Sequence, residues 1–592
     1  MIRASRLGGL FKGIAALTDS IGTSTALPGL GVVFGVRGAE ARIALPRAAA
    51  RATVGDFLSL ASGARRLIGV VIEVESQHDD AGRAVARIDV MGEIVSDSQG
   101  NSRFRRGVSA YPAIGDEARL MSAQDLRLVY EGDHNAATIG TLHNHDGVPA
   151  RISLSDMLDK HFAILGSTGV GKSSGVAVIL NAVLDKAPNV RVFMLDGHNE
   201  FAHCFGARAN VVSPRSLKLP FWMFNFEEFV DVVYGGRPAV DEELEILLEY
   251  IPVAKGMYLA QKLVHNDPYG VRKIDPRRSG FTIDTPTPYL LQDLAGLIDE
   301  RMGKLENRGS RMHCHRLLSR LETLQNDPRY AFMFEDANVG GDTMAEILSH
   351  LFRLDPQGQP ITVMQLAGLP AEVVDAVVCV VARLAFDFGL WSEGRFPLLF
   401  VCEEAHRFAP ADPSAGFGPT RRAMLRIAKE GRKYGVYLGL VTQRPAELDP
   451  TIMSQCNTLF AMRLSNERDQ AILRSAVSDE IANLIGFVPS LGMREAVAFG
   501  EGLPLPTRLR FTELSQAQLP RSETYRLEDR AMGAFDRGFV KQVVDRWRGA
   551  LGAGRVSEEA APAPAPAQAP FVNDAAARLE QLRAQILKRG VS

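Results

Sequence analysis

One eight-residue segment restricts the possible folds of this chain more than any other. Residues 166–173 read Gly-Ser-Thr-Gly-Val-Gly-Lys-Ser and match the pattern G-x-x-x-x-G-K-[ST] in full. An apolar segment, 162–165, precedes the match, and a helix-forming run, 174–184, follows it. Because a strand, a glycine-rich turn and a helix in this order form a phosphate-binding loop, the sequence predicts a nucleotide-binding α/β fold.

The residue types of this loop have distinct physical tasks. The glycines let successive N–H groups point at a phosphate, and the start of the helix adds its positive dipole. We expect Lys172 to bridge the β- and γ-phosphates and the Ser173 hydroxyl to ligate Mg²⁺, which makes ATP and Mg²⁺ the predicted cofactors. The predicted nucleotide-binding residues are Gly166, Ser167, Thr168, Gly169, Val170, Gly171, Lys172, Ser173 and Ser174.

Two adjacent acids, Glu403 and Glu404, follow the apolar strand predicted at 398–402. Acids at the end of a core strand are costly unless they have a task, and ATP hydrolysis supplies two. One carboxylate can hold Mg²⁺ with Ser173, and the next can orient or deprotonate the attacking water. We assign the metal to Glu403 and the water to Glu404. Many P-loop proteins have aspartate here, which leaves the order of the two roles open.

Further polar residues follow other predicted strands. Gln443 comes shortly after the strand at 436–441, where it can reach the γ-phosphate or the water, so we predict a catalytic sensor role for it. Asp196 and Glu200 follow the strand at 191–195, at the sheet edge where α/β folds bind ligands. A direct role and a structural role remain open for both acids.

A basic stripe lies between residues 420 and 434. Arg422, Arg426, Lys429 and Lys433 share one helical face. Such a face can be merely solvated, can meet DNA phosphates, or can supply an arginine finger to the γ-phosphate of a neighbouring subunit. We favour Arg432 as the catalytic finger, with Arg426 second.

The apolar pattern divides the chain into regions. Short apolar runs with glycines between them, including a strand expected at 126–130, predict a small β-barrel. Beyond it, uninterrupted apolar strands that alternate with helices predict a parallel sheet. The predicted fold class is therefore α/β, with a RecA-like P-loop ATPase core, an N-terminal small β-barrel, a helical insertion and a C-terminal helical extension. The predicted boundaries are 1–26 N-terminal tail, 27–150 barrel, 151–224 first part of the core, 225–344 helical insertion, 345–515 second part of the core, 516–556 extension, 557–574 Ala-Pro linker and 575–592 terminal helix.

Composition excludes several classes of protein. The net charge of −2 over 592 residues argues against a surface that coats nucleic acid everywhere, although it allows a local basic channel. The five cysteines form no C-x-x-C pair, which argues against a zinc module and fits a reducing compartment. No run of eighteen uncharged apolar residues occurs in the sequence. We therefore expect a cytoplasmic protein without a membrane anchor.

Taken together, the motifs resemble the HerA branch of the HerA–FtsK ATPases. The pattern Gly107-Val, Tyr111-Pro and Gly115-Asp116 is similar to the HAS-barrel of that family. The resemblance covers about residues 27–514, in the right order. The residues that carry it in the core are Gly166 to Ser173, Asp196-x-His198-x-Glu200-Phe201, Leu219-Pro-Phe-Trp222, Glu403-Glu404-Ala-His406-Arg-Phe408, Glu430-Gly-Arg432-Lys-Tyr-Gly435, Thr442-Gln443-Arg444-Pro445 and Ser454-Gln-Cys-Asn457.

The resemblance implies a homohexameric ring with ATP sites between subunits and a central channel for double-stranded DNA. It implies nucleotide roles for Lys172, Ser173, Glu403, Glu404 and Gln443, and it supports Arg432 as a finger acting in trans. It also implies a partner, either a NurA-like nuclease or an antiphage defence effector. One departure is Asn199, since the family more often has glycine at that position.

We therefore predict a hexameric, ATP-hydrolysing translocase or helicase of double-stranded DNA that works with a partner nuclease or effector in DNA processing or defence. The alternative is an ATPase assembly platform that scaffolds or gates a partner effector with little processive movement. The basic stripe and the complete hydrolytic set favour the first.

Overall fold

The fold is that of a computed structural model, which describes most of the chain. The described residues are 29–46, 52–63, 65–76, 84–97, 99, 101–131, 135–213, 216–266, 280–335, 337, 341–476, 484–521 and 537–551. The predicted N-terminal tail, Ala-Pro linker and terminal helix lie outside them. The chain divides into two compact units, Met1–Arg530 and Ala531–Ser592. None of the described helices has the length and apolar character that a membrane span requires.

Seven strands form the first sheet. They are β1 (Gly31–Arg37), β2 (Glu40–Leu45), β3 (Phe57–Ser62), β4 (Arg65–Ser76), β5 (Ala84–Ser96), β6 (Ser102–Arg106) and β7 (Glu117–Leu120). Six of them pair in the order β2-β1-β7-β3-β4-β5, and β5 pairs back with β2, which closes the sheet into a barrel. β6 adds to the second half of β5. Closure removes exposed strand edges, and side chains such as Ile43, Leu58 and Val71 fill the interior.

The second sheet has eleven strands. They are β8 (Ala136–Leu142), β9 (His145–Ser153), β10 (His161–Leu165), β11 (Arg191–Asp196), β12 (Ala209–Val212), β13 (Ile361–Gln365), β14 (Leu398–Cys402), β15 (Val436–Thr442), β16 (Cys456–Ala461), β17 (Glu495–Gly500) and β18 (Thr507–Phe511). Their order is β12-β13-β11-β14-β15-β10-β16-β17-β18-β8-β9. In this order, the seven strands from β12 through β10 to β16 pair in parallel. The pairings from β16 through β17, β18 and β8 to β9 are antiparallel. Every residue of β10 and β14 is buried, as expected for a sheet covered on both faces.

The helices of the described residues are α1 (Ala123–Tyr130), α2 (Leu154–Leu158), α3 (Lys172–Lys186), α4 (Phe226–Tyr234), α5 (Asp241–Asn266), α6 (Leu291–Lys304), α7 (Arg308–Gln325), α8 (Ala331–Phe334), α9 (Met344–Phe352), α10 (Ala371–Trp391), α11 (Ala405–Phe408), α12 (Gly418–Glu430), α13 (Pro450–Ser454), α14 (Glu467–Ser475) and α15 (Arg537–Leu551). Helices α4 to α9 lie between β12 and β13. Of these, α4 to α8 fall in the predicted insertion, 225–344, whereas α9 extends to Phe352, beyond its predicted end. The α/β core with its N-terminal barrel confirms the predicted fold class.

The structure differs from the sequence prediction in two places near the barrel. The barrel ends at Leu120, before the predicted boundary at residue 150, because β8 pairs with the distant β18 and joins the second sheet. The strand expected at 126–130 is wrong, since these residues belong to α1. The Ser122 side chain caps this helix by accepting a hydrogen bond from Asp125 N. Its buried residues are Leu126, Val129 and Tyr130, whose spacing is that of a helix face.

Strand order determines where the site lies. β15 stands between β10 and β14, and all three run parallel. Their carboxyl ends therefore meet at one edge of the sheet. The phosphate loop follows β10, the two glutamates follow β14, and Gln443 follows β15 between them.

Candidate nucleotide site

The loop between β10 and α3 has the backbone that phosphate binding requires. Gly169 and Gly171 have φ values of +76° and +96°, in the left-handed region that favours glycine. At Gly166 a Cβ would lie 2.8 Å from the Cβ of Met462, so the residue that follows β16 leaves room only for hydrogen. Gly171 precedes α3 and has no side chain to cap it. The first N–H groups of α3 therefore remain available to an anion.

Lys172 and Ser173 begin α3 and already face acids. Lys172 Nζ donates a hydrogen bond to Ser167 O at 3.3 Å. Burial lowers the pKa of Lys172, while the carboxylates of Glu404, Glu403 and Glu200 oppose that shift. Ser173 Oγ donates to Glu200 Oε2 at 2.7 Å, which places Glu200 directly on the residue predicted to ligate Mg²⁺.

Gln443 connects the phosphate loop to the second glutamate. Its Nε2 donates to Glu404 Oε2 at 3.2 Å, and its Oε1 accepts from the Thr168 hydroxyl. The side chains of Thr168, Gln443 and Glu404, all predicted site residues, thus form one hydrogen-bonded path. A displacement of Thr168 in the loop can therefore reach Glu404 through this path.

Four carboxyl groups surround the end of β14. Glu403 is buried, and its Oε2 accepts from Gly197 N at 2.9 Å. Burial, together with the charges of Asp196, Glu200 and Glu404, raises the pKa of Glu403 to about 8. Burial likewise raises the pKa of Asp196. Like charges this close favour a bound cation, and the oxygen donors are those that Mg²⁺ prefers.

Two histidines contact Glu404. His198 Nε2 lies 3.4 Å from Glu404 Oε1, and His406 Nδ1 lies 3.3 Å from Glu404 Oε2. His406 Nδ1 is also 3.0 Å from Thr442 Oγ1, so its ring is held against β15. Burial lowers the pKa of His406, with Glu404 acting in the opposite direction. Ligand atoms of His198, Glu403 and Glu404 all lie within 4.8 Å of one another.

The chain is similar to known proteins. The family model described as "Helicase HerA, central domain" matches residues 137–385. The DNA double-strand break repair helicase HerA of Pyrococcus furiosus is 25% identical over 480 residues, which cover 74% of this chain and 80% of that protein. A probable DNA double-strand break repair helicase HerA of Methanocaldococcus jannaschii is 23% identical over 475 residues, covering 75% and 87%. The chain is a HerA-like ATPase.

Solved structures that match the chain include VirB4 of Thermoanaerobacter pseudethanolicus and the bacterial conjugative coupling protein TrwB. VirB4 is 15% identical with a TM-score of 0.41, and the match covers 65% of this chain and 99% of that one. TrwB is 15% identical with a TM-score of 0.42, covering 68% and 94%.

Most arginines of the basic stripe in this HerA-like chain have partners within the chain. Arg421 pairs with Asp449, and Arg422 with Glu227. Arg426 lies 3.3 Å from Asp387 and stacks over the ring of Phe386 at 4.1 Å. Within the part of the chain that the structure describes, Lys429 and Arg432 are exposed and have no ion-pair partner. Because Arg426 already contacts Asp387 and Phe386, the exposed Arg432 is the better candidate for an arginine finger.

Arg432 does not join the site of its own chain. It lies in the turn before β15, whereas Gln443 follows the other end of that strand. β15 has seven residues. At ~3.3 Å per residue, Arg432 is roughly 20 Å from the phosphate-loop edge. A finger role for Arg432 therefore requires another copy of the chain and remains a prediction.

Two arginines that contact the phosphate loop belong to none of the motifs found in the sequence. Ser167 N donates to Arg463 O at 2.9 Å, and Arg494 N donates to Val170 O at 2.9 Å. Arg463 follows β16, and Arg494 precedes β17. A basic residue soon after an apolar strand was a usable signal for Arg463. Arg494 had no such signal, because its place beside the loop depends on a hydrogen bond to Val170, which is distant in the sequence.

Proposed function

We propose that this HerA-like ATPase uses Mg²⁺ and ATP to move along or unwind double-stranded DNA. The observation that carries the proposal is the hydrogen-bonded path from Thr168 through Gln443 to Glu404 at the sheet edge that bears the phosphate loop. The DNA substrate is proposed from the relatives, which are named as DNA double-strand break repair helicases and of which the chain spans most.

Each predicted residue has a role in hydrolysis. The loop N–H groups and Lys172 hold the phosphates, and Ser173 with Glu403 would hold Mg²⁺. Bound there, Mg²⁺ would neutralise charge on the phosphates and on the carboxyl groups around it. Glu404 orients the attacking water and accepts its proton, and Gln443 senses the γ-phosphate. His406 keeps the Glu404 carboxylate in place from the side of β15.

We further propose that the working assembly is a homohexameric ring. Support comes from the position of Arg432, exposed at the sheet edge opposite the phosphate loop. In a ring, this edge of one copy faces the nucleotide edge of the next. The central channel would take the DNA duplex, and we assign any DNA cleavage or signalling to a partner, a NurA-like nuclease or a defence effector, as the family resemblance implies.

The test measures ATP turnover with and without duplex DNA, together with DNA binding at increasing salt. We expect duplex DNA to raise turnover several-fold. We also expect the affinity for DNA to fall ~10³-fold or more between ~50 and ~200 mM salt, because several phosphate contacts release counterions. Turnover independent of DNA, together with no binding at low salt, would refute the motor and favour the assembly platform.

A further inference from the structure

The described nucleotide site has more acidic than basic groups. Asp196, Glu200, Glu403 and Glu404 supply four carboxyl groups, whereas Lys172 is the cation that the phosphate loop itself supplies. A nucleotide adds further negative charge with its phosphates. Mg²⁺ held by Ser173 and Glu403 would neutralise part of this charge, and the positive charge of a further cation close to the loop would strengthen phosphate binding.

Arg494 is placed to supply that charge from the same chain. Its N–H donates to Val170 O at 2.9 Å, inside the phosphate loop. A Cβ on Gly171 would lie 3.2 Å from Arg494 Cγ, so the stem of the arginine packs against the loop as well. Arg463, on the other flank, meets the loop through its main-chain carbonyl. The stem of the Arg494 side chain thus packs directly on the loop.

The backbone of Arg494 suits other residue types better than arginine. Its φ is +63°, in the region where glycine and asparagine are favoured. The conformation is enforced from both sides, because Phe511 N donates to Arg494 O at 2.8 Å and Glu495 next to it is held by Arg508 at 2.8 Å. An arginine in such a strained position points to a task for its guanidinium group.

The present partner of that guanidinium is easily replaced. Arg494 Nη2 lies 3.4 Å from Glu513 Oε2, and the Glu513 side chain is 80% exposed. Exposed ion pairs of this kind contribute little stability. The guanidinium can leave Glu513 for a stronger anion, such as a phosphate, at small cost.

We propose that Arg494 binds the phosphate chain of the nucleotide held by residues 166–173 of the same chain. The inference rests on the proposed function, namely that this loop binds ATP. Arg494 then complements Lys172 from the side of the β17–β18 hairpin, and it is distinct from Arg432, which would act on a neighbouring copy. The cis half of the site therefore contains two cations.

The experiment titrates the full-length protein with Mg²⁺-ADP by calorimetry. We expect Arg494→Asn and Arg494→Gly to weaken ADP binding ~10-fold or more, since each loses a charge-assisted hydrogen bond. Arg494→Lys should fall between these variants and the wild type. Both Asn and Gly accept the left-handed backbone, so the thermal unfolding midpoint without nucleotide should not fall.

Two controls separate a nucleotide role from a structural one. Glu513→Gln removes the present partner and should leave ADP binding unchanged or tighter. Arg510→Gln removes an exposed charge from the same hairpin and should have no effect on ADP binding. If Glu513→Gln weakens binding as much as Arg494→Asn does, the ion pair is a structural tie and the inference is overturned.

Failure of the inference and failure of the proposed function give different results. If the wild type binds ADP, Lys172→Ala abolishes binding and the Arg494 variants bind within about twofold of the wild type, the Arg494 inference alone is wrong. If the wild type binds no ADP, both fail, because the loop then holds no phosphate for Arg494 to contact.

Discussion

Glu404 has a backbone conformation that residues with a side chain rarely adopt. Its φ is +52°, and such conformations cost roughly 1–3 kcal/mol. The residue lies directly between β14 and α11, where the chain turns sharply. As a result its carboxylate meets Gln443, His198 and His406. The strained backbone thus positions the Glu404 carboxylate, to which we assign the orientation of the attacking water.

This assignment predicts the effect of Glu404→Gln. The amide has the same shape but cannot accept the proton of the water, so we expect ATP turnover to fall ~10²–10⁴-fold, the range for loss of a general base. ATP binding should persist, because the phosphate loop is untouched. Steady-state turnover and ATP affinity are to be measured together. Glu447→Gln, an exposed acid nearby that pairs with Arg444, is the control. Full turnover in Glu404→Gln would exclude Glu404 as the base.

At the scale of elements, a buried ion pair connects the helical insertion to the core. Arg383 of α10 contacts Glu228 of α4 at 2.7 Å and donates to Met223 O at 2.6 Å. Glu228 is 2% exposed and also completes the capping box with Asn225 at the start of α4. A carboxylate buried this deeply depends on its partner, because water cannot replace it.

We therefore predict that Arg383→Met lowers the free energy of unfolding by ~3–5 kcal/mol, since it leaves Glu228 charged and unpaired. Arg395→Met is the matched control: Arg395 pairs with Glu393 at the surface, and its loss should cost about 0–1 kcal/mol. Urea unfolding of both variants gives the comparison. The double variant Glu228→Gln/Arg383→Met should recover part of the loss. Equal costs for the two single variants would show that the buried pair does not stabilise the junction.

A buried lysine gives the insertion a pH dependence. Lys255 of α5 is 1% exposed, and its Nζ donates to the carbonyls of Ile283 and Thr285 at 2.5 and 2.6 Å. Burial lowers the pKa of Lys255 to about 8, with Asp284 opposing the shift. The unfolded chain keeps the ordinary value near 10.4. Between these two pH values the unfolded state binds more protons, so stability rises with pH.

The expected result is a wild-type protein that gains stability relative to Lys255→Met as pH increases from about 8 to about 10.4. Below pH 8 the lysine is charged in both states, and its burial costs the most. Urea midpoints of the two proteins at several pH values measure the difference. If that difference stays constant across the range, the proton on Lys255 does not respond to folding.

At the scale of the whole molecule, local patterns predict the core and distant pairings do not. The parallel strands were predictable because each is a continuous apolar run, and the glycine loop located the nucleotide edge. The end of the barrel in the sequence was not predictable, because β8 pairs with β18, which lies more than 350 residues further along the chain. The same hairpin, β17–β18, brings Arg494 to the loop, which no local pattern indicates. The role of Glu200 was left open because its contact with Ser173 depends on a turn after β11.

The ring proposal predicts complementation between two inactive variants. Arg432→Ala removes the finger and Glu404→Gln removes the base, and in a ring these groups meet only across an interface between copies. When the two variants are mixed before assembly, some interfaces combine an intact base from one copy with an intact arginine from the next. For equal, random mixing and independent sites, about a quarter of wild-type ATP turnover should return.

A second mixture provides the control for this recovery. Lys172→Ala and Glu404→Gln both damage the half of the site that a single copy supplies. Every interface in their mixture therefore contains a defective half, and turnover should stay at the level of the variants alone. Recovery in the first mixture but not in the second would place Arg432 at the neighbouring site. If neither mixture recovers ATP turnover, Arg432 does not act in trans. Arg432 would then have no role in hydrolysis, because it lies at the far end of β15 from the phosphate loop of its own chain.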